Sequence, residues 1–288
     1  MRLALIGTGL MGESMGRRLL DAGHDLAVYN RTAARTQGLA AAGAAVARTP
    51  RDAASGALAV LTMLADPAAV RVTAYGDEGF LAGMAAGSLW IDLSTVGPDD
   101  SREFAAAAQE RGVGMVDAPV SGSLGAADRG TLVLLVGGAE EHVSAARPVF
   151  AVLGRAAFHL GPSGAGSAGK LAANAFLLAT MAAGVEAVRL GTSLGIEPPD
   201  LLAALERTEI VPAWALAKLE RLEEGDLRPA FTLALADKDL RLIEAAAAGA
   251  GESLPLVNAV RELYAGALAA GRGDLDFSAV EREAPSSP

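Results

Sequence analysis

Up to about residue 160 the chain alternates short apolar runs with helical patterns, and beyond it only the helical patterns continue. The short runs predict strands at 2–6, 25–29, 57–63, 89–93, 114–116, 131–136 and 156–160. Strands separated by helical segments predict an α/β half built on a doubly wound, mainly parallel sheet, whose ligands sit at the carboxyl ends of its strands. The later periodicity predicts helices over 171–194, 198–207, 211–224, 231–248 and 256–270, and so an all-helical second half. Gly161-Pro162-Ser163-Gly164 separates the two. This places a boundary near 162, with a sheet domain over 1–162 and a helical domain over 163–288, joined by a long helix. Residues 282–288 read as a polar tail.

The joining helix carries an uncharged run over 171–185, apolar almost all the way round, which predicts a central helix buried on every side. Asn174 and Thr180 make the run too polar, and its length too short, for a membrane span. Lys170 stands at the mouth of this run, with Asn174 at i+4 on the same face. A lysine there is costly without work or a partner. The chain has three lysines (Lys170, Lys218, Lys238) against 21 arginines, so surface charge is arginine's task here. Lysine differs in having a movable pKa and a transferable proton.

The 288 residues suffice for a large core, and a charged fraction of 20% against 51% hydrophobic suits a soluble globular protein. A net charge of −10 leaves no basic footprint for nucleic acid or an anionic membrane. The absence of cysteine excludes disulfides, thiolate metal sites and a thiol nucleophile. His24, His142 and His159 form no close pair and are left without a role or partners, so no metal is expected. Only residues 3–6 are apolar before Gly7, too few for a signal peptide, and a cytoplasmic location is expected.

The first strand runs into Gly7-Thr8-Gly9-Leu10-Met11-Gly12, followed by a helical pattern. Glycine spacing of this kind between strand and helix is a dinucleotide-binding fingerprint: a tight turn, a close pyrophosphate approach and tight helix packing. The second strand ends at Asn30-Arg31-Thr32, where an NAD enzyme usually places a carboxylate for the ribose 2′-hydroxyl. A guanidinium can fork onto a 2′-phosphate, so NADP is expected and NAD disfavoured. Other strand ends carry Met63-Leu64-Ala65-Asp66-Pro67, Ser94-Thr95-Val96 and Asp117-Ala118-Pro119-Val120-Ser121-Gly122-Ser123. Their amides and hydroxyls suit a carboxylate without net positive charge, although each also reads as ordinary turn chemistry. Phe231 through Leu240, with Lys238, is a further candidate that equally fits a solvated helix face.

Taken together and in order, Gly7-x-Gly9-x-Met11-Gly12, Ser94-Thr95-Val96, Asp117 through Gly122, Gly164-x-Gly166-x-x-x-Lys170-x-x-x-Asn174 and Phe231 through Leu240 resemble the β-hydroxyacid dehydrogenase family. The family includes 3-hydroxyisobutyrate dehydrogenase and NADPH-dependent glyoxylate/succinic semialdehyde reductase. The resemblance implies an N-terminal Rossmann domain, a C-terminal all-helical domain and a homodimer or homotetramer. It implies Lys170 as the catalytic lysine and Asn174 as the amide beside it. It places Ser121, Gly122 and, with them, Ser123 at the substrate carboxylate, Phe231 and Asp239 at the closing of the site, and Thr95 and Lys238 near the nicotinamide. Two departures fall in the pocket: Ala173 where the family often has a second asparagine, and Ser123 where it often has glycine. The activity expected is hydride transfer between NADP(H) and a small carboxylate-bearing hydroxy acid or aldehyde, with Lys170 moving the proton. Two alternatives are weighed. Imine reductases commonly carry another residue at the lysine position, and a non-catalytic assembly module would not need the glycine loop, the hydroxyl loops and the lysine together.

Overall fold

The structure, a computed structural model, describes residues 1–280, so the polar tail at 282–288 lies outside the described residues. The chain divides into two units, Met1–Leu171 and Ala172–Pro288. The division falls inside the long helix Ala165–Ser193 rather than at the Gly161-Pro162 punctuation, because the first turn of that helix is fastened to strand ends of the first unit.

The first unit holds strands β1 (Arg2–Ile6), β2 (Asp25–Tyr29), β3 (Ala45–Val46), β4 (Ala59–Thr62), β5 (Leu89–Asp92), β6 (Gly114–Asp117), β7 (Val120–Ser121), β8 (Leu132–Gly138) and β9 (Gly154–Gly161). They form one sheet in the order β3-β2-β1-β4-β5-β6-β8-β7, with β9 paired to β8. Pairing is parallel from β3 to β6 and antiparallel where β8 meets β6 and β7. The strand order reverses beside β1, the switch point at which such sheets bind ligands. The predicted strands are all present. The sequence pattern passed over β3 and β7, since two residues cannot display a period of two.

Both faces of the central strands β1, β4, β5 and β6 are covered, as near-continuous apolar strands require. Alternate residues of β1 go to opposite layers: Leu3 and Leu5 pack with Met15, Leu19 and Phe150, whereas Ala4 and Ile6 pack with Phe80, Trp90 and Phe104. Parallel strands ending on one side bring the segments after β1, β2, β4, β5 and β6 to a common edge, and that edge holds most of the candidate residues of this unit.

The second unit is helical, with Pro198–Thr208, Ala213–Glu223, Leu233–Gly249 and Pro255–Ala269 beside the long helix. Its core includes Leu178, Met181, Leu219, Leu240 and Tyr264. Lys218 Nζ lies 2.6 Å from Asp276 Oδ2, and the same carboxylate accepts from the Ala230 amide at 3.1 Å. That pairing offsets the desolvation of a side chain only 1% exposed and ties residues 276–280, all buried, to the helices.

The long helix departs from the sequence expectation. Only one stripe is buried, Leu171, Asn174, Leu178, Met181, Val185 and Val188, while Phe176 and Leu190 are 68% and 61% exposed. An apolar circumference needs neighbours all round, and this chain covers one side. At 29 residues the helix is also long and apolar enough by length and composition to cross a membrane, contrary to the estimate from the uncharged run alone. Its buried stripe is the spacing of a core helix.

Candidate functional site

The glycine loop after β1 differs at its three glycines. Gly7 has φ +100°, and a Cβ there would sit 2.2 Å from the Met63 carbonyl oxygen; a Cβ on Gly12 would sit 2.1 Å from that of Gly7. Both positions are closed to any side chain. Around Gly9 the nearest atom to such a Cβ is Arg35 Nη1, 3.9 Å away, so the backbone stays open to an approaching group. Gly9 caps the helix Leu10–Asp21 without a side-chain hydrogen bond, leaving first-turn amides for a ligand. Open approach, free amides and the positive end of a helix together fit a pyrophosphate. Leu10 is exposed and Met11 half-buried against the core.

Asn30 braces this loop. Its Oδ1 accepts from the Thr8 amide at 3.1 Å and its Nδ2 donates to the Thr32 carbonyl at 3.0 Å, while Thr8 Oγ1 donates to the Arg35 carbonyl at 2.9 Å. Arg31 and Thr32 are exposed. Arg35 is the residue that sequence reasoning missed: it follows Arg31 in the same turn, but nothing in the linear pattern places its guanidinium beside Gly9. The turn thus presents two arginines and, at 30–32, no carboxylate.

After β4, Leu64 donates its amide to Ser94 Oγ at 3.0 Å, so these two strand-end segments are joined. Asp66 accepts from the Ala69 amide at 2.7 Å and is the cap of the helix Pro67–Ala74, the ordinary turn role. Thr95 is half-buried at the same edge. After β6, Ser121 is half-buried and Gly122 and Ser123 are exposed, with Gly122 at φ +142°. A side chain at Gly122 would be strained and would meet Leu132 at 2.9 Å, so the loop keeps its backbone bare.

Lys170 is half-buried, one turn before Asn174 on the long helix. In the second unit Asn174 and Asp239 are 3% and 2% exposed, and Asn174 Nδ2 donates to Asp239 Oδ2 at 2.6 Å. Lys238 Nζ lies 2.5 Å from Asp239 Oδ1. Asp239 therefore joins Lys238 to Asn174 and fixes the orientation of the asparagine amide. Phe231 stacks against Phe277 with ring centroids 5.4 Å apart. The histidines have partners after all: His159 Nδ1 lies 3.1 Å from Glu140 Oε2, and its Nε2 lies 2.9 Å from the Gly138 and Gly161 carbonyls, a brace at the end of β9. Among the described residues no cluster of three or more His, Cys, Asp or Glu could hold a metal ion.

Two neighbouring strands end in buried aspartates, Asp92 and Asp117, which are register partners. Asp92 Oδ1 accepts from Thr62 Oγ1 at 2.7 Å and from the Ser94 amide at 3.1 Å, and Trp90 Nε1 donates to Thr62 Oγ1 at 2.8 Å. Asp92 Oδ2 has no hydrogen-bond partner among the described residues.

Comparison with known proteins matches two family models. Residues 2–161 match the NAD binding domain of 6-phosphogluconate dehydrogenase, and residues 164–283 match the family described as NAD-binding of NADP-dependent 3-hydroxyisobutyrate dehydrogenase. An NAD-dependent L-serine dehydrogenase of Pseudomonas aeruginosa is 38% identical over 98% of this chain and 97% of its own. The 3-hydroxyisobutyrate dehydrogenase of the same organism is 35% identical, covering 97% of each chain. Among solved structures, Mycobacterium tuberculosis 3-hydroxyisobutyrate dehydrogenase with L-serine superposes with a TM-score of 0.86 at 34% identity over 97% of both chains.

Burial, offset in part by the Ser94 and Thr62 hydrogen bonds, pushes the Asp92 carboxyl up from 3.8 to about 6, with Asp117 adding to the rise. Because this lies above the unfolded value, the folded chain holds an extra proton between about pH 4 and 6. Stability from the protonated carboxyl is complete below that window and is lost as the pH rises through it. Asp92→Asn, which keeps the Oδ1 acceptor and removes the charge, should gain roughly 2–3 kcal/mol on the natural chain between pH 4 and pH 7.5. Urea unfolding of both chains at the two pH values measures this, and a stability difference independent of pH would contradict it.

Proposed function

The chain belongs to the β-hydroxyacid dehydrogenase family, and from that premise we propose that it is an NADP-dependent oxidoreductase of small 3-hydroxy acids and aldehyde-acids, of the 3-hydroxyisobutyrate, glyoxylate or succinic semialdehyde class. The observation that carries the reading is Lys170, half-buried on the first turns of the long helix and one turn before Asn174. The cofactor supplies the hydride when bound. The Gly7–Gly12 loop would hold its pyrophosphate, Arg31, Thr32 and Arg35 would receive the 2′-phosphate with Asn30 fixing their turn, and Met63, Leu64, Thr95 and Lys238 would be further cofactor contacts.

Lys170 Nζ donates a proton to the substrate oxygen as hydride arrives at the carbonyl carbon, and accepts it in the reverse direction. Ser121, Gly122 and Ser123 offer neutral donors to the carboxylate, which an acidic chain needs if it is to hold an anion. Asn174, oriented by Asp239, steers the reacting oxygen, and Phe231 supplies an apolar wall. The exposed apolar residues of the long helix support a homodimer or homotetramer, and the acidic charge supports a protein that works in the cytoplasm without nucleic acid or membrane. A second reading, NAD-linked oxidation of L-serine, is favoured by the Pseudomonas relative named for that reaction and by the Mycobacterium tuberculosis structure described with L-serine.

Four outcomes test the proposal. With NADPH and absorbance at 340 nm, glyoxylate and succinic semialdehyde should exceed uncharged aldehydes of similar size in kcat/KM; faster turnover of L-serine with NAD would favour the second reading. Arg31→Ala should weaken NADPH binding by about 1.5–3 kcal/mol and leave NADH little changed, whereas an equal loss for both would remove Arg31 from the 2′-phosphate. Lys170→Ala should lower kcat by about 10²- to 10⁴-fold with cofactor affinity near natural. Lys170→Arg should be nearly as slow, since a guanidinium keeps its proton; a retained kcat would assign the proton to another group.

A further inference from the structure

Asp117 ends β6 only 1% exposed, and both of its carboxylate oxygens are committed to the start of the long helix. Oδ1 accepts from the Gly164 amide and Oδ2 from the Ser167 amide, each at 2.8 Å. These amides span the helix's first turn, and Lys170 follows one turn after Ser167. Ser167 is tied a second time, its Oγ 2.8 Å from Ser101 Oγ on the helix Pro98–Gln109. The surroundings allow no slack. A Cβ on Gly166 would lie 2.4 Å from the Leu135 carbonyl oxygen and 2.5 Å from that of Asp117, and a Cβ on Gly137 would lie 2.6 Å from Asp117 Oδ1.

The geometry points to Asp117 as a positioning residue of the reaction: its carboxylate sets the axial and rotational register of the helix that presents Lys170. The inference rests on Lys170 being the proton donor. A helix held at residues 164 and 167 by one rigid acceptor pair cannot slide or turn by the ångström or so that costs about 10² in rate when a catalytic group is displaced. The carboxylate is the group suited to the task, because it accepts two amides at once with no donor of its own to clash with them. Burial pushes its carboxyl up, and the amides of Gly164, Ser167 and Gly166 pull it back. Asparagine has the same shape but turns an NH₂ toward one of the two amides, which releases one end of the first turn.

The test is a double-mutant cycle between Asp117→Asn and Lys170→Ala, with NADPH and whichever acid of the panel above is turned over fastest. Asp117→Asn should lower kcat about 10- to 100-fold, raise the primary isotope effect seen with 4-deuterated NADPH, and leave the NADPH dissociation constant within about twofold. In the Lys170→Ala background the same change should cost no more than about twofold, since a residue that acts only through Lys170 has nothing left to position. A merely structural carboxylate would lower the activity of both backgrounds by the same factor, and that result overturns the inference. A natural kcat in Asp117→Asn with Lys170→Ala inactive also overturns it while sparing the reading of Lys170; full activity of Lys170→Ala overturns both. If Asp117→Asn does not fold, Asp117→Ser keeps one acceptor in its hydroxyl, and the same non-additivity is expected of it.

Discussion

A carboxylate removed from water needs donors or its carboxyl is pushed up, and the edge of this sheet holds two buried aspartates with unequal sets of donors. Asp117 meets two helix amides, so its burial is compensated by the orphan donors that every helix start carries. Asp92, its neighbour across the register, has one oxygen engaged and, among the described residues, one without a hydrogen-bond partner, and burial pushes its carboxyl up to about 6. The sheet end, the start of the long helix and the placement of Lys170 all depend on the first of these arrangements. The second makes the same edge sensitive to pH.

The glycines divide the remaining work between packing and recognition. Gly7, Gly12, Gly137 and Gly166 are places where backbones approach too closely for a Cβ, so a side chain there would distort the structure. Gly9 is different, being open on its outer side, and for it the absence of a side chain matters to what arrives from solution. The spacing of Gly7, Gly9 and Gly12 already separates these roles, whereas nothing in the linear pattern marks Gly137 and Gly166 as close approaches.

Lysine usage shows the same division of labour. Lys218 and Lys238 each pair with an aspartate buried from water, where a compact ammonium fits a single carboxylate oxygen. The pair at 218 anchors the segment through residue 280. The pair at 238 serves Asp239, which in turn orients Asn174. Arginines fill the exposed positions, among them Arg31 and Arg35 beside the glycine loop.

Periodicity and spacing by themselves determined the alternation of strands and helices, the change to an all-helical second half, the glycine loop, and Lys170 with Asn174 on one helix face. These are properties of residues close together in the chain, where local geometry dictates what shares a face. Asn30 reads in the sequence as a ligand of the cofactor, and only the fold shows it bracing Thr8. Arg35 was not legible at all, since its proximity to Gly9 depends on how the turn after β2 folds back. The long helix looked buried all round because the sequence records how apolar a residue is, not whether a neighbour covers it; tertiary packing decided that one stripe is buried and Phe176 and Leu190 are not. Asp117 was read as part of a loop for substrate, and its bonds to residues 164 and 167 exist only because parallel strands end at the edge where the helix begins.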